Sequence, residues 1–120
     1  MLKPEELLTP AQILEFETKY GEEDIAIVRK RNRRDAKAFD WEIVLRRPAT
    51  DEYHIFKSRA LKESSSARAN EMLVKQVLVY PDAERFNDFL KRWPGICEST
   101  AVNAAIQELC GLTSDELEKA

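Results

Sequence analysis

What most limits the folds open to this chain is the way its second half is cut. From Asp51 to Gly111, apolar residues recur at helical spacing, and proline or glycine stands where each stripe ends. Tyr53, Phe56, Lys57 and Ala60 mark one face. Ala69, Met72, Leu73, Gln76, Val77 and Tyr80 mark a second, and Phe86, Phe89, Leu90 and Trp93 a third. Ile96, Thr100, Asn103, Ile106, Leu109 and Cys110 follow, with Val102 on their flank. A period near 3.6 residues argues for amphipathic helices, and Pro48, Pro81, Trp93-Pro94-Gly95 and Gly111 are natural boundaries. Thr50 is the expected cap of the first helix, with Asp51 and Glu52 at its positive dipole end. Glu63-Ser64-Ser65-Ser66 reads as a kink or short loop. Val77-Leu78-Val79-Tyr80 admits a third strand, although the length of the apolar run favours helix.

The first half follows a different rule. Thr9-Pro10-Ala11-Gln12 is a capping box with proline at the first helical position. Ile13, Phe16 and Tyr20 recur after it, and Gly21 suits a left-handed stop. Residues 24–47 read as an antiparallel hairpin. Asp24 to Arg31 is rich in β-branched residues, while Phe39, Trp41, Ile43 and Leu45 alternate with Asp40, Glu42, Val44 and Arg46. A register opposing Ile27 to Ile43 and Ile25 to Leu45 buries one face and leaves Lys30 opposite Asp40 on a wet one, with Arg29 beside Trp41. A slip of one residue exchanges the faces. Two strands are marginal alone, so helices must cover the apolar side. Thr113-Ser114-Asp115-Glu116 is a further capping box. The expected fold is α+β in a single domain, 1–120. It has an N-terminal helix within 1–22, a hairpin over 24–47, about four short helices bundled over 50–111, and a short helix or tail over 113–120.

A chain of 120 residues, 43% hydrophobic, suffices for one core. Three glycines argue against an all-β fold with many tight turns. Two cysteines thirteen residues apart on one expected helix stand roughly 20 Å apart at about 1.5 Å per residue, beyond disulfide reach. Cys97 and Cys110 are therefore expected as reduced thiols. With a single histidine they fall short of a zinc set. No apolar run approaches the length of a membrane span and the first residues do not resemble a signal peptide, so a cytoplasmic protein is expected.

Chemistry is hard to find. His54 has no nucleophile in a recognisable context, and the carboxylates sit at helix ends or in loops. No phosphate-binding glycine loop exists. No enzyme, cofactor or metal is expected. Two groups of residues remain as partner-binding candidates. One is the basic cluster Arg29, Lys30, Arg31, Arg33, Arg34 and Lys37, with Arg46 and Arg47 across the hairpin and Trp41 beside it. The other is the aromatic line Tyr80, Phe86, Phe89 and Trp93, read as core or as a groove for an amphipathic helix. The basic cluster raises nucleic acid as a partner, but a net charge of −3 weighs against it.

Four segments then point to a family. They are Arg46-Arg47-Pro48-Ala49-Thr50-Asp51-Glu52-Tyr53, Leu73 through Tyr80-Pro81-Asp82, Trp93-Pro94-Gly95-Ile96 and Leu109-Cys110-Gly111-Leu112. In this order, after a hairpin, they resemble the tail assembly chaperones of long-tailed bacteriophages and prophages. The resemblance covers roughly residues 25 to 112 and leaves 1–24 outside it. It implies a non-enzymatic protein of the host cytoplasm, absent from the mature virion, that coats the aggregation-prone tape measure protein. The tail tube protein is a second implied partner, and self-association is left open. The alternatives are a small nucleic-acid-binding or regulatory protein using the basic hairpin, and an enzyme accessory subunit.

Overall fold

The computed structural model describes residues 2–62 and 66–111, without the side chains of Lys62 and Ser66. The fold is α+β. In chain order it runs α1 (Pro10–Tyr20), β1 (Ile25–Arg31), β2 (Phe39–Arg46), α2 (Thr50–Lys62), α3 (Ser66–Val77), β3 (Leu78–Tyr80), α4 (Ala83–Arg92) and α5 (Thr100–Leu109). Single 3-10 turns at Pro4–Glu6, Glu22–Asp24 and Ile96–Glu98 link them. Residues 63–65 of the expected loop and the expected capping box at 113–116 lie outside the described residues.

The helix boundaries follow from side chains that satisfy exposed backbone groups. Thr9 Oγ1 accepts from the Gln12 amide at 3.2 Å and Gln12 Oε1 accepts from the Thr9 amide at 2.9 Å, the reciprocal box read from the sequence. Gly21 closes α1 at φ 98, and a Cβ there would stand 3.0 Å from Asp24 Oδ2. Asp82 caps α4 by accepting from the Arg85 amide at 2.8 Å. Ser99 caps α5 by accepting from Val102, and so divides the single helix expected from Ile96 onward. Cys97 therefore lies in a 3-10 turn and Cys110 caps α5; the two do not share a helix. At α2 the cap is not Thr50. The Tyr53 amide bonds to the Ala49 carbonyl, and the Glu52 carboxylate reaches back to the Ala49 amide at 2.8 Å.

The sheet departs from the expected hairpin in two ways. It has three antiparallel strands in the order β1-β2-β3, so the run before Pro81 leaves the helix at Val77 and becomes the strand Leu78–Tyr80. The β1–β2 register is also one residue away from the expected one. Val28 faces Ile43, Ile27 faces Val44, Arg29 faces Glu42 and Lys30 faces Trp41. The cause is that β2 is central and has no wet face. Trp41, Glu42, Ile43, Val44 and Leu45 are all buried.

Toward the helical bundle, Val28, Trp41, Ile43 and Leu45 join Leu73, Val74, Val77, Phe86, Phe89, Ile96, Val102, Ile106 and Leu109 in one core. On the opposite face Val44 is covered from the N-terminal side. There Phe16 of α1 stacks at 6.2 Å from Tyr80, and the buried Leu8 donates its amide to Glu42. The stripe read on α3 is rotated by one position: Val74 is fully buried, while Met72 is exposed. On α5, Val102 sits at the centre of the buried face and Thr100 is exposed.

Candidate functional site

Two concave regions stand out, and they share no residue. The first is a trough between α2, α3 and α5. Buried Leu73 and Ile106 lie in it with half-buried Tyr53 and Phe56, and the amides Asn70, Asn103 and Gln107 line it beside Lys57. Its volume is 300 Å³. At Tyr53 and Cys110 it meets a second hollow of 210 Å³ lined by Arg47, Pro48, Thr50 and Leu109. The two together make an elongated depression with an apolar floor and a polar rim that carries Lys57 and Arg47. The sequence did not show it, because its residues are spread over three helices and the segment before α2.

One end of the trough is held by the segment that introduces α2. Arg46 donates to both carboxylate oxygens of Glu52, Nη1 to Oε1 at 2.8 Å and Nη2 to Oε2 at 2.9 Å. It also donates to the Gln76 carbonyl at the end of α3. Such a fork is the strongest geometry an ion pair offers. The Arg46 hydrogen bonds hold the Glu52 carboxyl down at about 2, and those same bonds raise Arg46 above its ordinary value. Arg47 pairs with Asp24 at 2.8 Å and donates to the Glu23 carbonyl, while Pro48 is buried between. The arginine-proline-to-tyrosine run thus ties β2, the turn after α1, α2 and α3 together.

The second region lies between the β1–β2 turn and the corner after α4. Two adjoining hollows, of 350 and 320 Å³, share Asp40, Arg92 and Trp93. Lys30, Trp41 and Pro94 belong to one, and Asn32, Arg33 and Arg34 to the other. Asp40 reaches this place because of a bulge: Lys30 pairs with Trp41 and Arg31 with Phe39, leaving Asp40 as the extra residue. Asn32 then orders the turn. Its Oδ1 accepts from the amides of Arg34 and Asp35, both at 2.9 Å, and its Nδ2 donates to Asp40 at 2.8 Å.

The residues read from the sequence as partner-binding are divided by the structure. Phe86 and Phe89 are core, 1% and 9% exposed. Tyr80 packs on Phe16 across the sheet from the bundle. Trp41 is 3% exposed, because its strand is central, and so offers no contact face of its own. Trp93 is half-buried against Phe89, with the Arg92 guanidinium 5.1 Å over its ring. Arg29 is tied to the buried Glu42, and the Arg31 guanidinium lies over Phe39. Arg46 and Arg47 are used in the ion pairs above and leave the basic surface. Arg33 and Arg34 remain exposed at the turn. Arg92, which the sequence reading passed over, joins them; its place at the last turn of an amphipathic helix beside a tryptophan was the available signal.

Burial pushes the Cys97 thiol up to about 12, and also raises Cys110. His54 is exposed on α2 beside Tyr53. Among the described residues no group of three His, Cys, Asp or Glu side chains is placed to hold a metal ion, and no helix is long and apolar enough to cross a membrane. Comparison with family models, with curated proteins and with solved structures finds no match.

Proposed function

We propose that this chain is a non-enzymatic assembly chaperone of a long-tailed phage or prophage, working in the host cytoplasm and absent from the finished particle. It shelters apolar helical stretches of the tape measure protein, with the tail tube protein as a second partner. The trough between α2, α3 and α5 carries this reading. It is long, floored by Leu73, Ile106, Tyr53 and Phe56, and rimmed by the amides Asn70, Asn103 and Gln107 with Lys57 and Arg47 at its edge. An amphipathic helix lays its apolar face into a groove of that kind. Among the described residues Lys57 and Arg47 are the charged groups that line the trough, so contacts there are mostly apolar and modest. Repeated along a client, such contacts cover oily surface and still release it. Charged residues make up 34% of the chain, and that surface keeps a coated client from aggregating.

The alternative of nucleic-acid binding by the hairpin loses support in the geometry. Single-stranded nucleic acid needs exposed aromatic faces. Trp41 is buried, and cations already cover Phe39 and Trp93.

The test is co-expression with the long helical tape measure candidate encoded beside a tail tube gene, followed by pull-down. The client is expected to become soluble and bound, and the complex to tolerate moderate salt. Phe56→Glu, at a half-buried floor position, is expected to abolish capture while the circular dichroism spectrum stays native. A client that stays insoluble and unbound beside a folded chaperone would overturn the proposal.

A further inference from the structure

The cleft at the hairpin turn is a second surface, chemically unlike the trough. Lys30, Arg33, Arg34 and Arg92 border it, and among the described residues Asp40 is the carboxylate that lines it. None of the four cations forms a salt bridge among the described residues. On a chain of net charge −3 this is a concentrated island of the opposite sign. The island is also pre-arranged. Asn32 fixes the turn through three hydrogen bonds, Asp35 Oδ1 accepts from the Lys37 amide, and the Ala38 amide returns to the Asp35 carbonyl. Arg31 pins the far side by donating to the Ala36 carbonyl. A turn already ordered loses little entropy when a ligand arrives. Beside the cations, Trp93 and Pro94 supply an apolar wall.

We propose that this cleft docks an acidic segment of a partner protein. Carboxylates of the segment sit on Lys30, Arg33, Arg34 and Arg92, and one apolar side chain lies against Trp93 and Pro94. The chemistry favours a peptide over a nucleic acid for two reasons. The Arg92 guanidinium lies 5.1 Å over the Trp93 ring and competes there with a stacked base, whereas an aliphatic side chain needs only the ring edge and Pro94. Asp40, at the junction of the two hollows, repels an unbroken row of phosphates, whereas spaced carboxylates can pass on either side of it. The cleft and the trough share no residue, so the chain can hold two parts of one client, or a client and a second protein, at once. A row of like charges at the rim also speeds encounter with an acidic partner.

The experiment is fluorescence anisotropy on the full chain with three labelled probes. They are Glu-Glu-Glu-Leu-Phe-Glu-Glu-Glu, its counterpart with every Glu replaced by Gln, and an oligothymidylate of equal charge. The acidic peptide is expected to bind best and to weaken as salt rises. Combined Arg33→Glu and Arg34→Glu, both exposed at the turn, are expected to weaken it by about tenfold or more. Trp93→Ala is expected to weaken it further, and Phe56→Glu in the trough to leave it unchanged. Equal binding of the glutamine peptide, or no response to the double charge reversal, would overturn the proposal. Binding of oligothymidylate as tight as that of the acidic peptide, or tighter, would replace it with nucleic-acid recognition. Loss of peptide binding in Phe56→Glu would mean that the trough, not the cleft, is the site.

Discussion

The Arg46–Glu52 pair can be tested through the pH dependence of stability. Glu52 is 12% exposed and accepts two hydrogen bonds from Arg46 and one from the Ala49 amide. Its carboxyl is held at about 2 against an ordinary 4.5. At about 1.36 kcal/mol per pKa unit that gap is worth about 3 kcal/mol. Arg46 is 30% exposed, so water screens the pair, and a net contribution of about 1 to 2 kcal/mol is the realistic expectation. The folded value lies below the unfolded one. The contribution is therefore complete above about pH 4.5 and disappears as pH falls from there toward about 2. Urea denaturation of the wild type and of Glu52→Gln, repeated from neutral pH downward, separates this from simple loss of packing. The stability difference is expected to be about 1 to 2 kcal/mol at neutral pH and to close as Glu52 protonates. A difference that stays constant into the acid range would show that the charge on Glu52 contributes nothing. No difference at neutral pH would show that the fork does not hold α2 to β2 and α3.

Phe86→Ala, at a side chain 1% exposed, is expected to cost about 3 to 5 kcal/mol, while Trp93→Ala, at a half-buried ring, costs about 1 to 2. Equal losses in urea melts would contradict the division of the aromatic line into core and surface. Of the two thiols, Cys97 at about 12 carries about a thousandfold less thiolate than an ordinary cysteine near pH 8 and is 3% exposed. A disulfide reagent is expected to modify half-buried Cys110 slowly in the folded protein and Cys97 only in urea. Equal and rapid modification of both without denaturant would refute the packing around the 3-10 turn.

Helix ends and fold class were legible because their causes are local. Thr9 and Gly21 each act on backbone groups within four residues, so the pattern in the chain is the structure there, whereas the cap expected at Thr50 is replaced by Glu52 reaching back to the Ala49 amide. Ser99 was local too, and its capping signal was passed over in favour of an unbroken apolar stripe. The trough was not legible. It joins Phe56, Leu73 and Ile106, which are far apart in sequence, and helical periodicity says which residues leave water but not which gaps remain between helices. The cleft was half legible. Arg33 and Arg34 stood out as charge, but their union with Arg92 and Trp93 depends on where α4 ends in space.

The sheet shows how a local reading fails when burial is decided elsewhere. Alternation in β2 argues for one dry face and one wet one, with Glu42 on the wet side. Yet Glu42 is 1% exposed, and each of its oxygens is satisfied: Oε1 by the Leu8 amide, Oε2 by the Arg29 guanidinium. A buried carboxylate persists only where partners replace the lost water. Those partners come from a neighbouring strand and from a segment thirty-four residues upstream. Two clues in the chain were available. Ile13, Phe16 and Tyr20 formed an apolar stripe on the N-terminal helix with no surface assigned to receive it. Leu78-Val79-Tyr80 formed a short apolar run just before a proline. Together they require a third strand and a second cover, and once β2 is central the one-residue shift of β1 follows. Val28 must then face Ile43 in the bundle core, and Arg29 must face the one carboxylate that needs it.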